Sequence, residues 1–419
     1  VKGITAFLLL VVLFRAQAGG KEEAGWPQWR GPNGDGISHE TDWNPDALAG
    51  GAKVLWKADA GIGFSNVAIQ DDFLCTMGMV DLQDHVLCFN ASTGEEIWRY
   101  SFETSSYYGP MATPAIDGNR VFALGWEGTL LCLNVKNGEL VWSKDLRQDF
   151  DAHGPSYGFA GSPAIHGKLL ILNANDKIVG LDKRSGDLVW SVEDEVPRHS
   201  SGTFSTVVVA ELGGERCAMF LGSEAFHAVE VQSGRELWFY DHDDAEGPVA
   251  DPIVLGEKVW LSLNRSCVLT EVSENVPSEV WNSTTALNAG LSNPVLVDGY
   301  LFGMHWPLEY RISSHDWNRV LQLGWPFRCV SWETGEVMWE QHMKAASVTA
   351  AGNMLILLEL DGTLHIVEAS PASFYERSRA DVLAKKKTQR IFITPPVILE
   401  GKIYCRNHHG DLVCIDVSK

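Results

Sequence analysis

The stretch "TGEEIW" at 93–98 returns as "NGELVW" at 137–142, "SGDLVW" at 185–190, "SGRELW" at 233–238 and "TGEVMW" at 334–339. Each copy opens on a polar residue and a glycine, which supplies the positive φ of a tight hairpin. Each ends on a tryptophan that begins a strand-like run. With Trp281, the recurring indoles are Trp98, Trp142, Trp190, Trp238, Trp281 and Trp339, a period of about 40–50 residues stretched to 58 in the last interval. Inside one period, 113–142, the pattern reads "TPAIDG", "NRVFALGWEG", "TLLCLNVKNG" and "ELVW". Turn signals separate four short runs of Val, Ile, Leu and aromatics, which predicts four antiparallel strands per unit. Four strands at this period are the pattern of a β-propeller blade.

The tryptophan is expected to wedge between neighbouring blades, where a smaller side chain leaves a void. The strands nearest the axis are read in "TPAI" (113–116), "SPAI" (162–165), "DPIV" (251–254), "NPVL" (293–296) and "PPVI" (395–398). Each carries a proline, which a sheet tolerates at its edge. Counting gives an all-β, eight-bladed β-propeller of four-stranded antiparallel blades. Six blades end at the tryptophans above. A seventh covers 345–383 without the turn and tryptophan, and Phe374 is expected as its wedge. The last repeat, "TPPVILEGKIYCRNHHGDLVCIDVSK" (394–419), supplies three strands. Its fourth is expected from "GAKVLWKADA" (51–60) with Trp56 as wedge, so that an N-terminal strand closes the ring and removes free edges. The expected organisation is a signal peptide (1–18), an N-terminal clasp (19–50) holding Trp26 and Trp29 as plugs, and the propeller (51–419), with 303–327 inserted in blade six.

Lys2, the apolar run 7–14 and Ala16-Gln17-Ala18 form a secretory signal pattern, with cleavage expected after Ala18. The run is shorter than the roughly 20 residues a membrane span needs. A periplasmic or extracellular monomer is therefore expected. Lys and Arg total 33 against 54 Asp and Glu, a formal charge of −21. So acidic a surface repels phosphate backbones and anionic lipid, which argues against nucleic acid and leaves basic proteins, cations or neutral polymers as partners. Of eight cysteines, Cys88, Cys132, Cys329 and Cys414 occupy one equivalent repeat position. Equivalent positions in different blades are too far apart to bridge, so these are expected as buried small hydrophobes. No C-x-x-C spacing points to zinc or a redox motif.

The repeat "DG–VF–L–G–L–CLN––GE–VW" resembles the pyrroloquinoline-quinone (PQQ)-like propeller repeat, a superfamily that includes quinoprotein alcohol dehydrogenases and the BamB subunit of the outer-membrane barrel-assembly machinery. The opening "WPQWRGPNGDGIS" (26–38) and the closing repeat resemble exported bacterial BamB-like propellers. The sequence departs from both patterns. No cysteine stands directly after Ala18, the first being Cys75, so a lipid anchor of the BamB kind is not expected. The adjacent cysteine pair of methanol-type dehydrogenases is missing as well.

Aligning the repeats places Ser65, Thr113, Ser162, Ser205, Asp251, Asn293, Ser347 and Pro395 at the starts of the inner strands. Of these, Thr113, Ser162, Ser205, Asp251 and Asn293 form a candidate axial ring for a cofactor, or else the lining of a watery channel. The resemblance implies PQQ with Ca²⁺, for which Asp251 and Asn293 are the strong oxygen donors. Asp149, Asp151 or Glu246 would add a carboxylate, and Arg198 or Arg311 would anchor the quinone's acids. Tyr107, Tyr108, His153, Tyr157 and His199 fall on loops entering the funnel. The blade-six insertion adds His305, Trp306, Tyr310, Trp317 and Trp325, of which Trp306, Tyr310 and Trp317 are candidate partner-binding residues. Alternatively the insertion buries its own aromatics. "NHHG" (407–410) reads as a turn, since adjacent strand residues point to opposite faces. Two functions follow: an exported non-catalytic scaffold binding a protein or envelope polymer, or a PQQ/Ca²⁺-dependent alcohol or sugar dehydrogenase.

Overall fold

The glycine turns at 93–94, 137–138, 185–186, 233–234 and 334–335 each join two antiparallel strands. The computed structural model describes residues 25–193, 202–242, 249–263, 265–290, 292–306, 324–384 and 394–419. Blade 2 shows the unit. From the axis outward its strands are Ala115–Asp117, Arg120–Leu124, Thr129–Asn134 and Leu140–Asp145. Eight such sheets form an eight-bladed propeller. The prolines of the inner motifs stand just ahead of the inner strands, as Pro114 does before Ala115 and Pro163 before Ala164, and not within them. A short helix, Leu146–Phe150, follows blade 2 and is capped by the Asp145 carboxylate on the Arg147 and Gln148 amides.

The ring closes as the terminal repeat requires. Lys53–Asp59 pairs antiparallel with Asp411–Asp416, and Trp56 lies opposite Cys414. A buried guanidinium, Arg406, crosses this seam. Its Nη1 donates to the Ser65 carbonyl and the Thr76 hydroxyl, and its Nη2 donates to the Gly61 carbonyl at 3.1 Å.

The repeated turn and the repeated tryptophan are two halves of one joint. Trp98 stands across from Cys88, Trp142 from Cys132, Trp190 from Gly180 and Trp238 from Ala228, with a β-bulge directly after each pair. The small residue leaves room for the ring, and the bulge twists the outer strand over it. Each indole then lies on the turn of the following blade. Trp56 Nε1 donates to Ala91 O at 3.1 Å, Trp98 Nε1 to Val135 O at 2.7 Å and Trp190 Nε1 to Val231 O at 3.1 Å. The turn glycine is needed twice over. Gly138 has φ +71°, and a Cβ there would sit 2.6 Å from the Trp98 ring. The joint is incomplete at blade 5, whose corresponding turn is the two-residue Glu274-Asn275, with φ 51° and 62°. Trp238 Nε1 is buried there with no acceptor among the described residues.

Phe374 does not wedge blade 7 against blade 8. It packs edge-on against Trp339 of blade 6, ring centroids 5.8 Å apart. The tryptophan position of blade 7 is Ser378, whose hydroxyl donates to Pro45 O. The gap is filled from the N-terminal segment, where Trp43 and Leu48 join the buried cluster of Ile356, Ile366, Ile403 and Ile415. The reason is steric: with serine in the outer strand, an incoming chain can reach the core between the two sheets.

Candidate functional site

Antiparallel order sorts the connections onto two faces. The loops that enter each inner strand and the turns between second and third strands share one face, here the connection face. The first-to-second and third-to-fourth turns share the other, the turn face. Both ends of the axis are thereby defined.

On the axis, backbone amides of one blade bond side chains of the next. Asn66 N donates to Thr113 Oγ1 (2.9 Å), Thr113 N to Ser162 Oγ (2.9 Å) and Ser162 N to Thr206 Oγ1 (3.1 Å). Thr206 N donates to Asp251 Oδ1 (2.7 Å), and Asp251 N to Asn293 Oδ1 (2.6 Å). Ser347 Oγ continues to Thr394 O, and Asn66 Nδ2 to Pro395 O, each at 3.0 Å. Thr113, Ser162, Asp251 and Asn293 are thus brought together around the axis and buried. Ser205 is buried too and its carbonyl accepts from Asn173 Nδ2 of blade 3, but the side chain that accepts the Ser162 amide is that of its neighbour Thr206. The alternation of the strand decides this one-residue shift, and the serine–threonine pair "FST" hides it in the sequence.

Ser205 Oγ is buried without a partner among the described residues, but the side-chain acceptors of Thr113, Ser162, Thr206, Asp251 and Asn293 are all taken by neighbouring blades. Asp251 Oδ2 accepts from Trp29 Nε1 at 2.7 Å and from Asn293 Nδ2 at 3.2 Å. Burial raises the Asp251 carboxyl above its ordinary value, opposed by the Arg30 guanidinium. A quinone with Ca²⁺ asks for six to eight oxygens. With both Asp251 oxygens and Asn293 Oδ1 already accepting N–H bonds, the described ring residues do not fit such a site. Among the described residues no cluster of three His, Cys, Asp or Glu side chains is placed to hold a metal. Asp149 accepts from the Asp145 amide and Asp151 caps the short helix, so neither reaches the ring. Glu246, Arg198, Arg311 and His199 lie outside the described residues.

Segment 25–38 closes the axis from the turn face. Gly25–Trp26 pairs with Ile69 and Gln70 of blade 1, and Ile37–Ser38 pairs in parallel with Ala350 and Ala351 of blade 7. Between them Ile116 N of blade 2 donates to Pro27 O at 2.7 Å, Trp29 reaches Asp251 of blade 5, and Arg30 Nη2 donates to Pro294 O of blade 6 at 3.0 Å. Nothing in the repeat pattern signals Arg30, which is buried without an acidic residue beside it in sequence. A cavity of about 310 Å³ remains between this segment and blades 3 and 4.

The connection face carries the aromatic side chains. Tyr108 stacks on Trp126 at 5.7 Å, Phe64 on His408 at 5.8 Å, and Tyr157 meets Phe204 at 6.2 Å. Tyr107 is 81% and Tyr157 54% exposed, large values for aromatic rings. His153 binds Asp176 through Nδ1 at 2.7 Å. In the "NHHG" turn, Asn407 Oδ1 accepts from the His409 and Asp411 amides. Beneath this face Asp84 is buried beside Gly125, and burial pushes its carboxyl up to about 6. Trp306 and Trp325 meet edge to face at 4.0 Å, and Trp325 is buried. His305 accepts the Asn288 amide on Nδ1, and burial lowers it to about 4, helped by Arg328. Tyr310 and Trp317 lie outside the described residues.

A family model described as outer membrane protein assembly factor BamB matches residues 82–322. The BamB of Shewanella oneidensis is 21% identical over 389 residues, covering 78% of this chain and 88% of that protein. The quinohemoprotein alcohol dehydrogenase ADH-IIG of Pseudomonas putida is 22% identical over 313 residues, 69% of this chain but 41% of the dehydrogenase. The crystal structure of BamB from Moraxella catarrhalis superposes with a TM-score of 0.63 at 14% identity, covering 87% of this chain and 99% of that one. The family model spans more than half of the chain, and the propeller fold is shared with the superposed BamB structure: the chain belongs to the PQQ-like propeller family of the outer membrane protein assembly factor BamB.

Proposed function

We propose that the protein is a non-catalytic scaffold of the bacterial envelope that holds a protein partner on its connection face. One observation carries this reading: the side chains of Thr113, Ser162, Thr206, Asp251 and Asn293 on the axis serve blade-to-blade bonds, while the aromatic rings of Tyr107 and Tyr157 stand exposed on the loops around the axis. Rigid blades with loops that present amphipathic rings suit protein recognition, because tyrosine offers large contact area at little entropic cost. The name of the BamB relatives, an assembly factor, supports the same class of role, and an envelope location follows from it. The net charge of −21 favours a partner with basic patches. No helix among the described residues is long and apolar enough to cross a membrane.

The test is capture from an envelope fraction with wild-type protein and with a Tyr107→Ala/Tyr157→Ala variant. Loss of a partner held by wild type supports the reading, and an unchanged set of partners removes these tyrosines from it. The relatives named as quinohemoprotein dehydrogenases favour a second reading, an alcohol or sugar dehydrogenase. Incubation with Ca²⁺ and the quinone separates the two: stoichiometric quinone retention with dye-linked alcohol oxidation would establish the enzyme and overturn the scaffold.

A further inference from the structure

The N-terminal segment shows how this propeller uses the inner edges of its blades. An inner strand has one neighbour in its own sheet, and its other edge faces the axis with unpaired backbone groups. On blade 1 that edge is covered by Gly25–Trp26, and on blade 7 by Ile37–Ser38. Between these two pairings the segment bonds blades 2, 5 and 6. No hydrogen bond among the described residues ties it to the inner strands of blades 3 and 4. Both strands are only partly covered. Ala164–His166 is half-buried throughout, as are Val208, Val209 and Ala210, whereas the inner strand Val397–Leu399 of blade 8 is wholly buried.

The 310 Å³ cavity lies at this gap. Gln28, Trp29 and Asn33 line one side, His166 and Val208 the other, and Arg216 stands among them. Its size is at the low end for a ligand pocket. Trp29 bonded to Asp251 closes its floor, so a chain can enter but not run through. Arg216 decides the sign of the guest. Its acidic neighbour, Glu211, is 3.8 Å away, and both side chains are at least half exposed, a loose pair that a better acceptor can replace. Asp251, the acid at the floor, already accepts from Thr206, Trp29 and Asn293. It offers no free oxygen to an ammonium group.

We propose that this cleft is a second binding site, which takes the carboxyl-terminal end of an extended peptide, adding its backbone to the free edge of strand Val208–Leu212 and placing its carboxylate on Arg216. The site is on the turn face, opposite the tyrosine-bearing face, and is independent of it. Backbone pairing supplies affinity with little sequence demand, and the guanidinium fixes the end of the chain.

The test uses the full chain and an acetylated Val-Thr-Val tripeptide with a free carboxyl terminus, its C-terminal amide, and acetate alone. Calorimetry gives affinity, and hydrogen exchange reports the amides of 207–210. The free acid should bind saturably and slow exchange at 207–210. The amide on wild type, and the acid on Arg216→Gln, should each bind about tenfold more weakly, the loss of one charge-assisted contact. Equal affinity of acid and amide would overturn the carboxylate assignment. Acetate matching the tripeptide, or protection absent at 207–210, would reduce the site to an anion contact and overturn the strand addition. No heat at millimolar tripeptide would overturn the whole proposal.

Discussion

Replacing each joint tryptophan by phenylalanine should not cost the same in every blade. Trp98, Trp190 and Trp238 are buried almost equally, 8%, 6% and 5% exposed. The loss of ring area is therefore common to all three. What differs is the indole N–H. In Trp98 it reaches Val135 O at 2.7 Å and in Trp190 Val231 O at 3.1 Å, but in Trp238 it is buried with no acceptor among the described residues. A satisfied bond contributes about 1 kcal/mol, while an unsatisfied buried donor costs about 1–3 kcal/mol. Trp98→Phe and Trp190→Phe lose the first; Val135 O keeps only the weak Cys88 Sγ donor, and Val231 O loses its indole donor. Trp238→Phe removes the second. The variants should separate by about 2 kcal/mol, with Trp238→Phe near neutral or stabilising. Urea unfolding of the three, compared through their midpoints at unchanged slope, measures the difference. Equal losses in all three would refute the argument that the following turn, and not the ring's bulk alone, receives the tryptophan.

Further outcomes follow from single positions. Gly138→Ala meets the Trp98 ring at 2.6 Å in addition to its φ of +71°, whereas Gly118→Ala, at φ +58°, has no atom within 4 Å. Unfolding midpoints should show a loss of about 1 kcal/mol for Gly118→Ala and about 3 kcal/mol for Gly138→Ala, and equal losses would contradict the joint. His305, lowered to about 4 by burial, resists the proton that the unfolded chain takes near 6.5, so it withdraws stability as pH falls across that window. A His305→Gln variant should close on wild type by up to about 3 kcal/mol between pH 7 and 4 in pH-dependent unfolding. Asp84 works in the opposite sense. Raised to about 6, it binds its proton first in the folded state, so stability attributable to it is gained as pH falls from 6 through 3.8, and Asp84→Asn should remove that gain. All eight cysteines are buried and free, and burial pushes Cys329 and Cys414 up to about 12. A thiol reagent at pH 8 should find no reactive thiol in the folded chain and eight after denaturation, and a lower final count would reveal a disulfide.

Blade number, strand order and ring closure were legible in the chain because they are set by local chemistry repeated in register. A glycine turn, a small residue such as Cys88 and a tryptophan ten residues on lie within one hairpin, and any such hairpin folds the same way. The candidate ring was legible in position for Thr113, Ser162, Asp251 and Asn293, which share one place in the repeat. Its one-residue shift at Thr206 was not, since both members of a serine–threonine pair satisfy the pattern. Phe374 misleads for a related reason: it has the right bulk near the right place, but only packing reveals that it faces Trp339 rather than blade 8.

What the sequence determined by itself is therefore the blade, the number of blades and the sheet that the two ends share. The tertiary structure alone decided how the axis is used: that the side chains of Asp251 and Asn293 are bound by neighbouring blades, that Trp43 and Leu48 replace a missing indole, and that residues 25–38 cover the inner edges of blades 1 and 7 but leave those of blades 3 and 4 open. The physical reason is distance along the chain. A hairpin is specified by residues a few positions apart, whereas Trp29 meets Asp251 across 222 residues, and no local pattern records which of eight similar edges a passing strand will choose.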